Sequence, residues 1–444
     1  MKKSWYWIAF VIGAPCAAMA QDTTQLHLPP QWTLQACIEY ARQNNIQVRT
    51  ERLNTRSAEE DLAEARASRL PDLVGSATQN FVHNNNTNLA VGGFQSQSNL
   101  SGNYGVSSSM ILYNGGYITN DIKSKQLSVQ LAGLAVSETE NNITLSITQA
   151  FLNILLAREN IKSLSDVLGT SQLQLQQGQQ KFNAGALSKL QLVQLQAQVA
   201  TDQYDVVNAQ NMLRSDVVAL KQLLQLPTSY DLTISAPDSV IVPGGETSLE
   251  QDQALAQSMR PEVKYDQINT LIARTELEKL RAATLPVVSV GGALSTGYTD
   301  NQSSKYFTQL NNNFYQSLGL NVSVPIFNRR VNRTNINKQK IVIEQSQLAL
   351  QNTQLVLNQE VEQAYINLQN AQAQYVAAGA ELDANKESYD ITNQQMQLGA
   401  INLIQLQQEK TLYLQSLQAY LQAKYTAVLY DKILNFYAGT PVSF

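Results

Sequence analysis

The stretch Phe314-Tyr315-Gln316-Ser317-Leu318-Gly319-Leu320-Asn321-Val322-Ser323-Val324-Pro325-Ile326-Phe327 decides the fold. Side chains alternate across an extended chain. Phe314, Leu318, Leu320, Val322, Val324 and Ile326 therefore share one face, and Tyr315, Ser317, Gly319, Asn321 and Ser323 share the other. Gln316 is the single polar residue on the apolar face, and no charge occurs from Phe314 to Phe327. A strand that is apolar on one side and small or polar on the other suits a barrel wall between lipid and water. It equally suits a soluble sandwich whose apolar faces pack together.

Three more stretches share this pattern. Tyr104, Val106, Met110 and Leu112 make one apolar face, opposite Asn103, Gly105, Ser107 and Ser109. Val288, Val290, Leu294 and Tyr298 make another, and Leu73, Ala77 and Phe81 a less regular one after Pro71. A largely polar loop over 84–99 and a loop over 299–313 join the strands in pairs, so hairpins are expected at about 71–114 and about 286–327. Four strands cannot close a membrane barrel, which needs about eight. Open sheet edges are not tolerated in lipid, so several chains must share one barrel. Two chains would supply eight strands and three would supply twelve.

Long helices flank the strands. Ile143, Ile147, Ala150, Ile154, Ala157, Ile161, Leu164 and Leu168 alternate in steps of four and three. That is the seam of a left-handed coiled coil. Leu357, Val361, Ala364, Leu368, Ala371 and Tyr375 repeat it, and a shorter seam is expected at Leu190, Val193, Ala197, Ala200, Tyr204 and Val207. The two proline-free stretches, about 118–183 and 332–397, would each span roughly 100 Å at ~1.5 Å per residue. Gly133, Gly169 and Gly178 weaken the first only modestly.

The chain is written twice. Leu70-Pro71-Asp72-Leu73 recurs as Leu285-Pro286-Val287-Val288, Leu112-Tyr113-Asn114 as Ile326-Phe327-Asn328, and Ala184-Gly185-Ala186 as Leu398-Gly399-Ala400. All three keep an offset of about 214 residues, the register of an internal duplication. Residues 21–226 form the first repeat, with helices over about 116–226. Residues 249–438 form the second, with helices over about 329–438. Residues 227–248, with Pro227, Pro237, Pro243, Gly244 and Gly245, form a connector, and 439–444 a short tail.

Residues 1–20 read as a signal peptide: Lys2 and Lys3, an apolar run from Trp5 to Ile12, and Ala18-Met19-Ala20 before Gln21. An uncleaved anchor and a lipoprotein signal at Cys16 are the alternatives, and Pro15 is a poor match for the second. Acidic residues (35) outnumber Lys and Arg (31), and no basic block marks a nucleic-acid partner. No later apolar run is long enough for a membrane helix, which excludes a helical inner-membrane pump but not a barrel. Cys37, alone after the signal, cannot form an internal disulfide. His27 and His83 lie in polar stretches. No metal spacing, nucleophile elbow or phosphate loop points to an enzyme, and no cofactor is expected.

Trp32-Thr33-Leu34 through Ala41-Arg42-Gln43-Asn44-Asn45, Leu70-Pro71, Leu112-Tyr113-Asn114-Gly115-Gly116, and the turns at Gly185 and Gly399 together resemble the TolC-like outer-membrane efflux proteins, or outer membrane factors. The resemblance runs from about residue 32 to 438 in family order. It implies an α+β membrane protein: a homotrimer whose four strands per chain build one twelve-stranded barrel in outer-membrane lipid, continued by a periplasmic tunnel of coiled-coil helices. It implies the exit duct of a tripartite efflux or type I secretion system, in the outer membrane of a Gram-negative cell. The partners would be a periplasmic adaptor (membrane fusion) protein and an inner-membrane RND or ABC transporter. The connector would resemble the family's belt around the tunnel. The tips that dock the adaptor would be Gly185, Ala186, Leu187, Gly399, Ala400 and Ile401, small and apolar residues at exposed turns. Leu318, Leu320, Val322, Val324 and Ile326 would face lipid. Where better-known members carry aspartates at the closed entrance this chain has Gln405 and Gln408, matched in the first repeat by Gln191 and Gln194. A glutamine ring lacks the cation attraction of a carboxylate ring. A surface adhesin or periplasmic filament would explain the heptads and the signal but not four charge-poor strands, and a general porin would need most of its chain in strands.

Overall fold

The structure, a computed structural model, describes residues 29–88, 93–237, 241–242, 248–398 and 400–442. The expected signal peptide, much of the connector, Gly399 and the last two residues lie outside the described residues. In chain order the elements are α1 (Leu34–Asn44), α2 (Ile46–Ala67), β1 (Val74–Asn88), β2 (Gly93–Tyr113), α3 (Tyr117–Asn183), α4 (Lys189–Leu224), α5 (Leu249–Met259), α6 (Pro261–Ala282), β3 (Val287–Thr299), α7 (Tyr306–Asn312), β4 (Tyr315–Ser323), α8 (Val331–Gln397) and α9 (Leu403–Tyr437). The halves correspond element by element, except for α7.

The strands form one antiparallel sheet in the order β1-β2-β3-β4. Its register aligns the expected faces. Ala77 pairs with Tyr104, Val106 with Leu294, Val290 with both Met110 and Leu320, and Val288 with Val322. A bulge between Ile111 and Tyr113 puts Tyr113, not Leu112, opposite Val288. Within the chain, β1 and β4 each keep one unpaired edge.

Two strand boundaries differ from the sequence reading. β4 stops at Ser323, so Val324 and Ile326 lie beyond it, both exposed, on the way to α8. Pro325 has no N–H to give a ladder and ends the strand. Most of the polar 84–99 loop is instead ladder, from Asn84 paired with Gln97 to Asn88 paired with Gly93. Strand there is set by backbone pairing, and polar residues on both faces give no alternating signal.

α3 and α8 are each 67 residues, and each folds back on the helix that follows it, α4 or α9. The 22-residue helices α2 and α6 extend the same wall: α2 and α6 lie against α3, and α6 also lies against α8. The seam of α8 is buried from Leu357 through Ala371, with Tyr375 at its half-buried end. In α3 the part of the seam nearer the sheet is the buried part, with Ile147 and Ile154 fully enclosed and Ala150 half-buried between them. The expected α4 seam is on the wrong side. Leu190, Val193, Tyr204 and Val207 are exposed, while Leu192, Leu195, Val206 and Ala209 are buried. α4 carries two apolar stripes, and only the second meets α3.

The main core lies where Trp32, Tyr40 and Val48 meet Ile143, Phe151, Leu220, Leu224, Leu226, Val428 and the connector residues Leu232 and Ile234. Trp32 pairs with Ile234 through the backbone and gives its indole N–H to the Tyr230 hydroxyl at 2.9 Å. The connector is thereby pinned to the helices.

Candidate functional site: the helix tips and tunnel mouth

The turn between α3 and α4 is a Schellman stop. Ala186 N–H donates to Lys181 O at 2.8 Å, and Gly185 sits at φ +75°. The second tip reproduces the bond one repeat later, Ala400 N–H to Gln395 O at 2.9 Å. Each following helix is then capped. Ser188 Oγ accepts from Gln191 N–H, and the Gln191 side-chain oxygen accepts from the Ser188 N–H at 3.1 Å, a capping box. Asn402 Oδ1 accepts from Gln405 N–H at 3.0 Å. Gln191 and Gln405 are thus third residues of helices, and the Gln191 amide is engaged in its cap. The signal was present in sequence as Ser188-x-x-Gln191.

The tip residues divide into two sets. Ala186 and Ala400 are exposed. Leu187 and Ile401, expected at the exposed surface, are instead half-buried against a cluster of Leu195, Tyr389, Leu403 and Leu406. Each precedes an N-cap, and the fourth helical residue after it, Leu192 or Leu406, is buried. That is the position of a hydrophobic staple, which draws the side chain inward. The large apolar groups left bare are Leu190 and Ile404, one repeat apart and each 68% exposed, with Leu398 at 86%.

Gln194 and Gln408 come together in one groove of about 360 Å³ between α4 and α9, lined also by Gln198, Thr201, Ile404 and Thr411. No charged residue lines it. Further along the same two helices Lys410 is buried, its ammonium 2.6 Å from Asp202 Oδ2 and 2.8 Å from Ser171 Oγ. Gln198 donates to the other carboxylate oxygen at 2.7 Å. Burial pulls the Lys410 amine below its ordinary range, against the pull of Asp202. A second clasp, Lys424 and Tyr425 on Glu159, again joins α9 to α3. Burial, reinforced by the Glu159 carboxylate, pushes the Tyr425 phenol far up. Sequence reading found neither clasp, because a single Lys or Asp in a Gln-rich helix carries no periodic signal.

At the other end Leu318, Leu320 and Val322 project from one sheet face and are exposed. α7 leans on that face near the loop end. Tyr306 packs edge-on against Tyr298, with centroids 4.6 Å apart, and Gln79 donates to the Tyr298 hydroxyl at 2.6 Å. An aromatic cluster at one end of an apolar band is what a membrane interface favours. Among the described residues, no helix is long and apolar enough to cross a membrane.

A two-faced sheet continued by paired coiled-coil hairpins of this length defines an outer-membrane channel subunit. The family model described as outer membrane efflux protein matches residues 37–225 and again 252–439, once for each half. The chain belongs to that family, whose place is the Gram-negative outer membrane. It is similar to the pyoverdine export outer membrane protein OpmQ of Pseudomonas putida, 26% identical over 296 residues covering 60% of each protein. It is also similar to the outer membrane protein TolC of Vibrio cholerae, 24% identical over 50% of this chain and 49% of that one. The matches thus span about half to 60% of these relatives' lengths. Among solved structures CusC superposes with a TM-score of 0.75 at 20% identity, covering 92% of both chains. The Campylobacter jejuni CmeC outer membrane channel superposes with 0.74 at 19% identity, covering 93% of this chain and 87% of that one.

Proposed function

We propose that the chain is one subunit of a homotrimeric exit duct, passing small molecules or secreted polypeptide from an inner-membrane RND or ABC transporter to the outside. One observation carries this reading. The sheet is amphipathic across its faces and ends in two unpaired edges, so it is stable in lipid only when copies pair edge to edge into a closed barrel. Three copies give twelve strands, and their helices continue the wall roughly 100 Å into the periplasm. Two relatives are named for pyoverdine export, which favours a small exported metabolite as cargo.

The tips, with Gly185, Ala186 and Ala400 at the turns and Leu190, Leu398 and Ile404 bare beside them, would meet the periplasmic adaptor. Gln194 and Gln408 would line the entrance, closed by packing and amide hydrogen bonds rather than by a carboxylate ring. Leu318, Leu320 and Val322 would face lipid, with Val324 and Ile326 at the periplasmic rim. Light scattering on the protein extracted from outer membranes, corrected for detergent, tests the reading. A mass of three chains is expected. A soluble single chain or a two-chain rod would replace it with a structural coiled coil.

A further inference from the structure

The two halves of the duplication differ sharply in charge where the sheet gives way to the long helices. Residues 328–343 carry Arg329, Arg330, Arg333, Lys338 and Lys340 and no acid. The positions of these five cations are Gly115, Gly116, Thr119, Ser124 and Gln126 in the first repeat. That repeat has Lys123, Lys125 and Asp121 in the same stretch, and Lys125 pairs with Asp61 and Asp121 with Lys279. The five cations of the second repeat are all exposed, and none forms an ion pair among the described residues.

The backbone marks the same place independently. Three non-glycine residues have positive φ among the described residues, and two of them are Arg329 at +51° and Arg330 at +69°. A side chain disfavours that conformation. Glycine makes the equivalent turn in the first repeat, so the turn itself does not call for arginine. An unfavourable backbone kept where glycine would serve points to what the side chains meet.

The neighbours say what that is. Ile326 and Phe327, just before the arginines, are 94% and 83% exposed, and Leu318, Leu320 and Val322 are bare on β4. Bare apolar side chains that run directly into bare cations suit the boundary between acyl chains and headgroups. We propose that Arg329, Arg330 and Arg333 hold the phosphate of an anionic phospholipid of the periplasmic leaflet, with its acyl chains on the apolar face of β4. This rests on the reading of the sheet as a barrel wall in outer-membrane lipid. Depth selects these three cations. The headgroup layer is about 5–8 Å deep on each side. Arg333 stands ~4.5 Å along α8 and Lys338 ~12 Å, so Lys338 and Lys340 add to the field without touching the headgroup. Arginine suits the task because its planar fork meets phosphate oxygens in pairs.

Intact-complex mass spectrometry of the full chain in nonionic detergent tests the site by counting lipid retained per chain. Titrated with phosphatidylglycerol and with phosphatidylcholine of the same acyl chains, the parent should retain the anionic lipid preferentially. Arg329→Gly with Arg330→Gly restores the turn of the first repeat and should lower that preference about fivefold for each arginine, the factor that ~1 kcal/mol per cation near an anionic surface gives. Arg329→Lys with Arg330→Lys should keep most of the preference, which separates charge from backbone strain. Arg333→Gln lies in regular helix and should lower the preference about fivefold by itself, which keeps the test open should the glycine pair fail to assemble. Lys181→Gln, at the far end of α3, should change nothing. An unchanged preference in Arg333→Gln and in the glycine pair would overturn the proposal. So would displacement of the lipid by inorganic phosphate at equal concentration, which would make this a site for a free anion. A parent with the mass of three chains and no preference for the anionic lipid overturns the lipid site and leaves the duct intact. A soluble single chain overturns the duct reading itself.

Discussion

Replacing Lys410 by methionine tests what holds the two hairpins together. Lys410 and Asp202 are 4% and 3% exposed at their side chains and 2.6 Å apart. Removing the ammonium leaves a buried carboxylate with one amide donor, Gln198, and takes a partner from buried Ser171. Breaking a buried pair from one side costs about 3–5 kcal/mol, whereas replacing both members by apolar groups is nearly neutral or stabilising. Lys410→Met should therefore lower stability by about that amount, and Lys410→Met with Asp202→Leu should recover most of it. The assay is guanidinium unfolding of the detergent-solubilised protein followed by helical circular dichroism, with the double-mutant cycle read from the midpoints. A single variant within about 1 kcal/mol of the parent, or a double no better than the single, would refute the view that a desolvated charge pair ties α9 to α4.

Four further outcomes are expected. Gln194→Glu with Gln408→Glu should raise cation selectivity of the channel, read as a shifted reversal potential in a planar bilayer under a salt gradient; an unchanged potential would remove these residues from the conducting path. Glu138 is raised above its ordinary 4.5 by burial, then by repulsion from Glu262. The folded protein holds that proton more tightly, so this contribution to stability is full below 4.5 and is lost as pH rises through the folded value. Glu138→Gln should therefore stabilise at neutral pH and lose that advantage near about pH 4, by unfolding midpoints at both. Gly185→Val should cost about 1–2 kcal/mol for its left-handed backbone, with no steric part because nothing lies within 4 Å of a Cβ there, and Gly185→Asn should cost less, by the same midpoints. Arg330→Gly should relieve about 1–2 kcal/mol of left-handed strain and return part of it as unfolded-chain entropy, a net rise in midpoint.

The sequence was most legible where a period had one cause. The α8 seam is buried because one neighbour covers one stripe, and the sheet faces hold because pleat and register have the same period of two. It was least legible where two demands fell on one element. α4 has an apolar stripe for α3 and another that this chain leaves bare, and a pattern of four and three cannot say which is which. α2 and α6 carry charge around most of their circumference, so no apolar stripe announces them. At the tips, Leu187 and Ile401 look like exposed apolar residues until the N-cap beside each shows why it folds inward. Lys410 and Asp202 are legible only in three dimensions, since their pairing depends on which turns of α4 and α9 meet.

The junction from strand to long helix shows what the duplication preserves. Gly115 and Gly116 adopt φ +67° and +86°, and one repeat later Arg329 and Arg330 adopt +51° and +69°. In the first repeat glycine is required at the first position, because a Cβ on Gly115 would lie 2.8 Å from Leu285 and 2.9 Å from the Ala282 carbonyl. Those atoms belong to the last residue of α6 and to the short connection from α6 to β3, packed beside the turn. In the second repeat arginine is accommodated at both positions at the cost of a left-handed backbone. The turn itself is kept in both because it sets the angle at which a strand of the sheet feeds the long helix that follows it. Backbone geometry is therefore the property held constant between the halves. The side chains diverge at the same turn, glycine where Leu285 crowds the position and arginine one repeat later.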